Sequence, residues 1–345
     1  MKQNIYLSKF RNALKLNHLD AYIQPRSDMF GGEEVPDYDA RLKLLSGFTG
    51  SAGIAVITLK KAILFTDGRY TLQARMQLNK SWEIHPLHSN NWIDWVTDNL
   101  SAGQNIGFDP WLVTASTFQK LSEQVQIKDI AIKLDKKNLV DQVWINRPKI
   151  TQKEPVRWKD NYFAVNAKNK VNDLLAEMQL RDLDALIITQ PNQVCWLLNI
   201  RGNNLKYTPF FLGFLVVEKN GDLNIFSQCD IKYIKDNLRN HLFYKLEQYL
   251  SKFKNKNVAI NNKNCPSIIY NKLKHISAKV ENSFSFLQEK ATIKHNKEIQ
   301  HIRRCHIADG VALANFFYWI ENNIKKQKIT EYDASEKLKN FVNLL

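Results

Sequence analysis

The sequence predicts an α/β chain of two homologous domains with mixed sheets, followed by a pair of helices. Three observations carry this: a repeated helix-to-strand unit, two β-rich pairs that recur in the same order, and a change to helical periodicity alone near the C-terminal end. A chain of 345 residues exceeds the size at which single cores usually stop growing, so more than one domain is expected on length as well.

The repeat begins at Leu19-Asp-Ala-Tyr-Ile-Gln-Pro25, echoed by Leu183-Asp-Ala-Leu-Ile-Ile-Thr-Gln-Pro191. Each is a short apolar strand preceded by a helix with an apolar face. Ile5, Leu7, Phe10, Leu14 and Leu16 form that face in the first copy, and Val171, Leu174, Leu175, Met178 and Leu180 in the second. Next come two hairpin-like pairs, 53–57 with 62–66 and 210–217 with 223–227, the latter turning at Lys219-Asn220-Gly221. A later strand leads to a helix in both: 105–109 to Thr117–Val125, and 257–261 to Ser267–Leu273. Hairpins beside helix-crossed strands imply mixed sheets covered by helices.

Asn146-Arg-Pro-Lys-Ile-Thr-Gln-Lys-Glu-Pro155 interrupts the patterning with two prolines and reads as a linker. The expected division is therefore 1–150, 156–290 and 291–345. In the last part a long helix is predicted from Ile293 to Ile324, striped by Ile299, Ile302, His306, Val311, Leu313, Phe316, Phe317 and Ile320 and weakened locally by Gly310. A capping box at Thr330 and Asp333 starts a second helix running to Leu345. Two helices cannot bury Trp319, Phe316, Phe317, Phe341 and Leu344 alone, so a missing partner or an oligomer contact is expected.

Composition excludes several classes. The net charge of +15 would suit a polyanion, but the basic residues are scattered and no aromatic-plus-basic stacking motif accompanies them, so nucleic acid is not the expected partner. The N-terminal segment has no continuous apolar region and nothing approaches a spanning length, so neither signal peptide nor membrane association is expected. Cys195, Cys229, Cys265 and Cys305 form no zinc-ribbon spacing and fit a reduced cytoplasm. No nucleophile-elbow G-x-S-x-G occurs, so a serine-hydrolase reading has no support.

Two segments carry a family resemblance: Leu44-Leu-Ser-Gly-Phe-Thr-Gly-Ser-Ala-Gly53 and Phe65-Thr-Asp-Gly-Arg-Tyr-Thr-Leu-Gln73. With Asn138-Leu-Val-Asp-Gln-Val-Trp144, Trp196-Leu-Leu-Asn-Ile-Arg-Gly202 and Arg303-Arg-Cys-His-Ile-Ala-Asp-Gly-Val-Ala-Leu313, they make the chain resemble the cytosolic-type, three-domain aminopeptidase P family. The resemblance implies two creatinase-like N-terminal domains and the entry helices of a pita-bread catalytic domain. It also implies Xaa-Pro aminopeptidase activity for the full-length family: removal of the residue preceding proline, using two divalent metals, typically manganese. Peptides with proline in second position are the implied substrates, a homodimer the implied assembly and the cytoplasm the implied location.

In that family two Asp, one His and two Glu hold the metals, beyond the entry helices at which this chain stops. The resemblance therefore predicts no catalytic residue, no metal ligand and no cofactor within these 345 residues, and no peptidase activity from them alone. The one family contact carried over is Arg69, which in the family reaches toward substrate. Locally, the same arginine could instead pair beside the Asp67-Gly68 turn. The Gly47–Gly53 loop lacks a phosphate-loop pattern and is expected to make a tight turn. His301 and Cys305 share a helical face near His295 and His306, but no carboxylate completes a metal set, so packing is expected there. Two other readings remain, a stand-alone peptide- or subunit-binding module and a split or degraded gene product.

Overall fold

The computed structural model describes residues 2–89, 91–134, 137–159, 162–231, 238–282 and 285–344. Met1 and Leu345, the outer ends of the first and last predicted helices, lie outside the described residues.

The first half contains strands β1 (Ala21–Pro25), β2 (Ile54–Thr58), β3 (Ala62–Thr66), β4 (Glu83–Pro86), β5 (Asn105–Phe108) and β6 (Ala131–Leu134). Its helices are α1 (Lys2–Leu16), α2 (Arg41–Ser46), α3 (Thr71–Gln77), α4 (Asn91–Asn99), α5 (Ala115–Ile127) and α6 (Leu139–Val143). The strands lie in the order β4-β3-β2-β1-β5-β6, antiparallel around β2 and parallel elsewhere.

The second half repeats this plan. A two-residue ribbon, β7 (Val156–Arg157) with β9 (Ile200–Arg201), flanks α7 (Ala167–Leu180), β8 (Ala185–Ile188) and α8 (Pro191–Leu198). There follow β10 (Gly213–Glu218), β11 (Leu223–Ser227), β12 (Leu238–Leu242), α9 (Leu246–Leu250), β13 (Asn257–Ala259), α10 (Ser267–Ile276), β14 (Lys279–Glu281) and α11 (Phe286–Thr292). The sheet order β12-β11-β10-β8-β13-β14 matches the first sheet strand for strand, with the same directions. Both predicted hairpin pairs and both later strands are in place.

Both sheets are covered on both faces, which is why their central strands are nearly continuous apolar runs. One face of the first sheet packs Tyr22, Ile57 and Leu64 against Leu7, Phe10 and Leu14 of α1. The other packs Ile23, Val56 and Ile63 against Trp92 and Val96 of α4 and Leu121 of α5. In the second half Val171, Leu174 and Met178 of α7 repeat the i, i+3, i+7 spacing of α1. The predicted faces are wider than the buried rows: Ile5, Leu16 and Leu180 are more than half exposed.

The C-terminal helices differ in detail from the expected ones. The helix predicted from Ile293 starts three residues later, and α12 (Asn296–Asn323) begins where the Glu298 carboxylate accepts the His295 N–H at 2.8 Å. Gly310 lies inside it in open space, without a break. The apolar stripe is largely uncovered, with Ala312 the one buried residue of α12 and Ile302, Val311, Leu313 and Phe317 exposed. α13 (Glu331–Val342) opens on the expected box, Thr330 N–H to Asp333 at 3.0 Å and Asp333 N–H to Thr330 at 3.2 Å. Lys337 of α13 lies 5.5 Å from the Trp319 ring of α12. All four cysteines are free, with Cys195 and Cys265 buried, Cys229 half-buried and Cys305 exposed on α12.

Candidate functional site

Arg69 sits where β3 gives way to helix. Asp67 is still extended, so its carboxylate can reach forward to accept the Arg69 N–H at 2.9 Å and cap a single 3-10 turn over Gly68–Tyr70. The guanidinium folds back on the same carboxylate, donating from Nε at 3.0 and 3.1 Å and from Nη2 at 2.5 Å. Local pairing is thus present, and the Arg69 side chain nevertheless remains 69% exposed. Its bonds to Asp67 hold the guanidinium pKa up and the carboxyl of Asp67 below the usual carboxylate range. In water such a pair adds little stability. It fixes a cation in one place.

The Gly47–Gly53 loop does more than turn. Gly47, at φ +81°, ends α2 in the left-handed region and redirects the chain. From there Ser51 Oγ meets the Tyr70 hydroxyl at 2.5 Å, and Thr66 Oγ1 donates to the Ala52 carbonyl at 2.6 Å. The amides of Gln73 and Gln77 donate to Thr49 Oγ1 at 2.9 and 2.8 Å. A Cβ on Gly50 would stand 2.3 Å from the Phe48 ring, which itself lies edge-on to Tyr70. The two motifs therefore form one unit, a loop buttressing the turn that carries Arg69.

The α12 candidates do not converge. His301 packs its ring 5.5 Å from that of Tyr162, while Cys305 and His306 are exposed. The exposure of His306 corrects its expected packing role, because nothing among the described residues covers that face of α12. Among the described residues no three His, Cys, Asp or Glu side chains are placed to hold a metal ion. The two-metal set implied by the resemblance has no fit here.

A buried charge network escaped the sequence reading. Arg41 donates to Asp39 at 2.8 Å and to Asp141 at 2.8 and 3.0 Å. Arg147, from the predicted linker, donates to Asp141 at 2.6 Å, Asp39 at 3.1 Å and the Tyr38 carbonyl at 2.8 Å. Burial alone would lower the Arg41 pKa, but Asp141 and Asp39 override it and hold it above its ordinary value. These residues line a cavity of about 390 Å3 with Asp109, Trp111 and Phe30. Partners a hundred positions apart leave no local motif to find. Gln152 and Lys153 bind the second domain, through the Leu212 carbonyl at 2.6 Å and Asn204 at 2.8 Å, so the linker is fastened on both sides.

The Trp196–Gly202 motif is explained by its backbone. Asn199, at φ +52°, ends α8, and Lys170 Nζ secures that end by donating to the Trp196 carbonyl and to Asn199 Oδ1, both at 2.7 Å. Burial brings the Lys170 pKa down to about 8. Gly202 is required by close approach, since a Cβ would lie 2.2 Å from the Phe210 carbonyl oxygen.

The Creatinase/Prolidase N-terminal domain family matches residues 7–137 and again 146–304. A relative from Sordaria macrospora named "Probable Xaa-Pro aminopeptidase P" is 30% identical over 97% of this chain, and one of the same name from Pyrenophora teres f. teres is 31% identical over 96%. The crystal structure of X-prolyl aminopeptidase from Caenorhabditis elegans, described as a cytosolic enzyme with a di-nuclear active site, superposes on the whole chain with a TM-score of 0.90 at 27% identity. The chain spans 58%, 54% and 60% of those three proteins. Two matched domains, in one order and along nearly the full length, place this chain in the creatinase/prolidase N-terminal domain family, beside relatives named Xaa-Pro aminopeptidase P.

Proposed function

We propose that this chain is the substrate-access part of an Xaa-Pro aminopeptidase, two non-catalytic domains and a helical entry to a metal-dependent hydrolytic unit. The superposition over the whole chain on 60% of the X-prolyl aminopeptidase carries this reading. In it the domains divide near residues 150 and 290, and the uncovered apolar row of α12 is where the catalytic unit docks. Arg69 is the substrate-side contact, an exposed guanidinium held for a peptide carbonyl or carboxylate. The whole protein would act in the cytoplasm, with two divalent metals, manganese first among them, on peptides with proline second. The metals would polarise the scissile carbonyl, and in this reading the carboxylates that hold them belong to the catalytic unit.

The test is incubation of the purified chain with manganese and an Arg-Pro-Pro peptide, following release of free arginine. No release is expected. Turnover would overturn the assignment of catalysis to another part of the protein.

A further inference from the structure

One of the contacts between the two domains is the corner that follows β5 in one and β13 in the other. Four backbone hydrogen bonds cross there: Ala115 N–H to Cys265 O at 2.8 Å, Ser267 N–H to Val113 O at 2.8 Å, Ser116 N–H to Asn262 O at 3.0 Å and Ile268 N–H to Pro110 O at 3.2 Å. Counted from the equivalent strand starts Asn105 and Asn257, Pro110 corresponds to Asn262, Val113 to Cys265, Ala115 to Ser267 and Ser116 to Ile268. The four bonds are then two pairs, each bond the image of the other with the domains exchanged.

Thr114 corresponds to Pro266, and these two form an isolated antiparallel bridge with each other. A residue that pairs with its own counterpart lies on a local two-fold axis. The helices that follow, α5 and α10, pack side by side, and Gln119 of one donates to the Tyr270 hydroxyl of the other at 2.7 Å. Reciprocal contact of this kind defines an isologous interface, the arrangement of a symmetric homodimer. Because the crossing bonds are backbone to backbone, they tolerate side chains as different as Pro110 and Asn262.

We infer that this corner is a self-recognition surface of the fold, and that the second domain occupies, as a tethered partner, the place that a second copy of the first domain would take. The partner it fits is therefore another copy of residues 1–148. Separate apolar clusters on both faces of the first sheet, built from first-domain residues alone, give that copy its own core.

The test inserts a specific protease site between Pro148 and Lys149 of the full chain, cleaves the folded protein, and measures mass by size exclusion with light scattering. Cleaved halves are expected to remain one particle of about the intact 40.2 kDa at micromolar concentration. Ala115→Pro should weaken them at least tenfold. Ala115 is the first residue of α5, where proline suits the helix but removes the donor to Cys265. The uncleaved variant, checked by circular dichroism and melting, reports its folding, and Gln119→Ala serves as a second, milder probe. The N-terminal half, released in sub-denaturing urea and returned to buffer, is expected to form a homodimer that Ala115→Pro disrupts. Halves that part on cleavage, association insensitive to both variants, a released half that stays monomeric, or one that unfolds would each overturn the proposal.

Discussion

The Asp28 carboxylate accepts the Phe30 N–H at 3.0 Å and, with that turn held, Phe30 projects from the first domain into the core of the second, 5.2 Å from the Phe214 ring. The cost falls on Asp28. Burial, with the nearby Asp39 charge second, pushes its pKa up to about 6, against backbone N–H groups that pull it down, and Oδ2 has no partner. The folded state therefore prefers the protonated acid, so this contribution is complete below about pH 4 and is lost as pH rises through 6. Asp28→Asn keeps an acceptor without the charge. It is expected to add about 3 kcal/mol at pH 8 and almost nothing at pH 4, each unit of pKa shift being worth about 1.4 kcal/mol. Urea unfolding of both proteins across that range checks the slope of the difference.

Arg41→Ala should be among the most damaging single changes. It strands the buried Asp39 and the half-buried Asp141 with Arg147 alone, and since breaking a fully buried pair costs about 3–5 kcal/mol, a loss of about 2–4 kcal/mol is expected here. Denaturant titration of the purified variant would show the loss, and a cost under about 1 kcal/mol would mean that water fills the gap.

Gly202→Ala is predicted to cost about 1–3 kcal/mol, because the added methyl meets the Phe210 carbonyl, a backbone group that cannot swing aside. Gly68→Ala, with open space around the site, is the matched control. Thermal melts of the two variants should separate clearly.

Arg69→Ala should leave the melting temperature close to that of the parent, as expected for an exposed pair. If Arg69 is the proposed substrate contact, the equivalent arginine-to-alanine change in a full-length Xaa-Pro aminopeptidase P relative is expected to weaken peptide use about tenfold or more, read as kcat/KM at saturating metal. An unaltered kcat/KM would leave Arg69 with the local pairing alone.

The duplication was legible because strand starts, hairpins and the α1 and α7 rows repeat in order, and local periodicity reports local burial directly. The Arg69 turn was half legible, since Asp67-Gly68 signals a turn while Ser51 and Tyr70 reveal their contact only once β2 and β3 pair. The Arg41, Asp141 and Arg147 network and the Phe30 insertion were not legible. Their partners are distant in sequence, and a single phenylalanine after Asp28 carries no periodic signal. The opening of α12 was misread because the apolar spacing runs through Ile293, whereas the His295 cap decides the start.

The distribution of the cysteines has a practical consequence. Desolvation raises the Cys195 thiol to about 11 and raises Cys265 and Cys229 as well, leaving few thiolates to react. Cys305 alone of the four stands in solvent. A maleimide dye should therefore attach at one place without any engineering, on α12 beside its uncovered apolar row, and report by fluorescence when another protein surface settles over that helix.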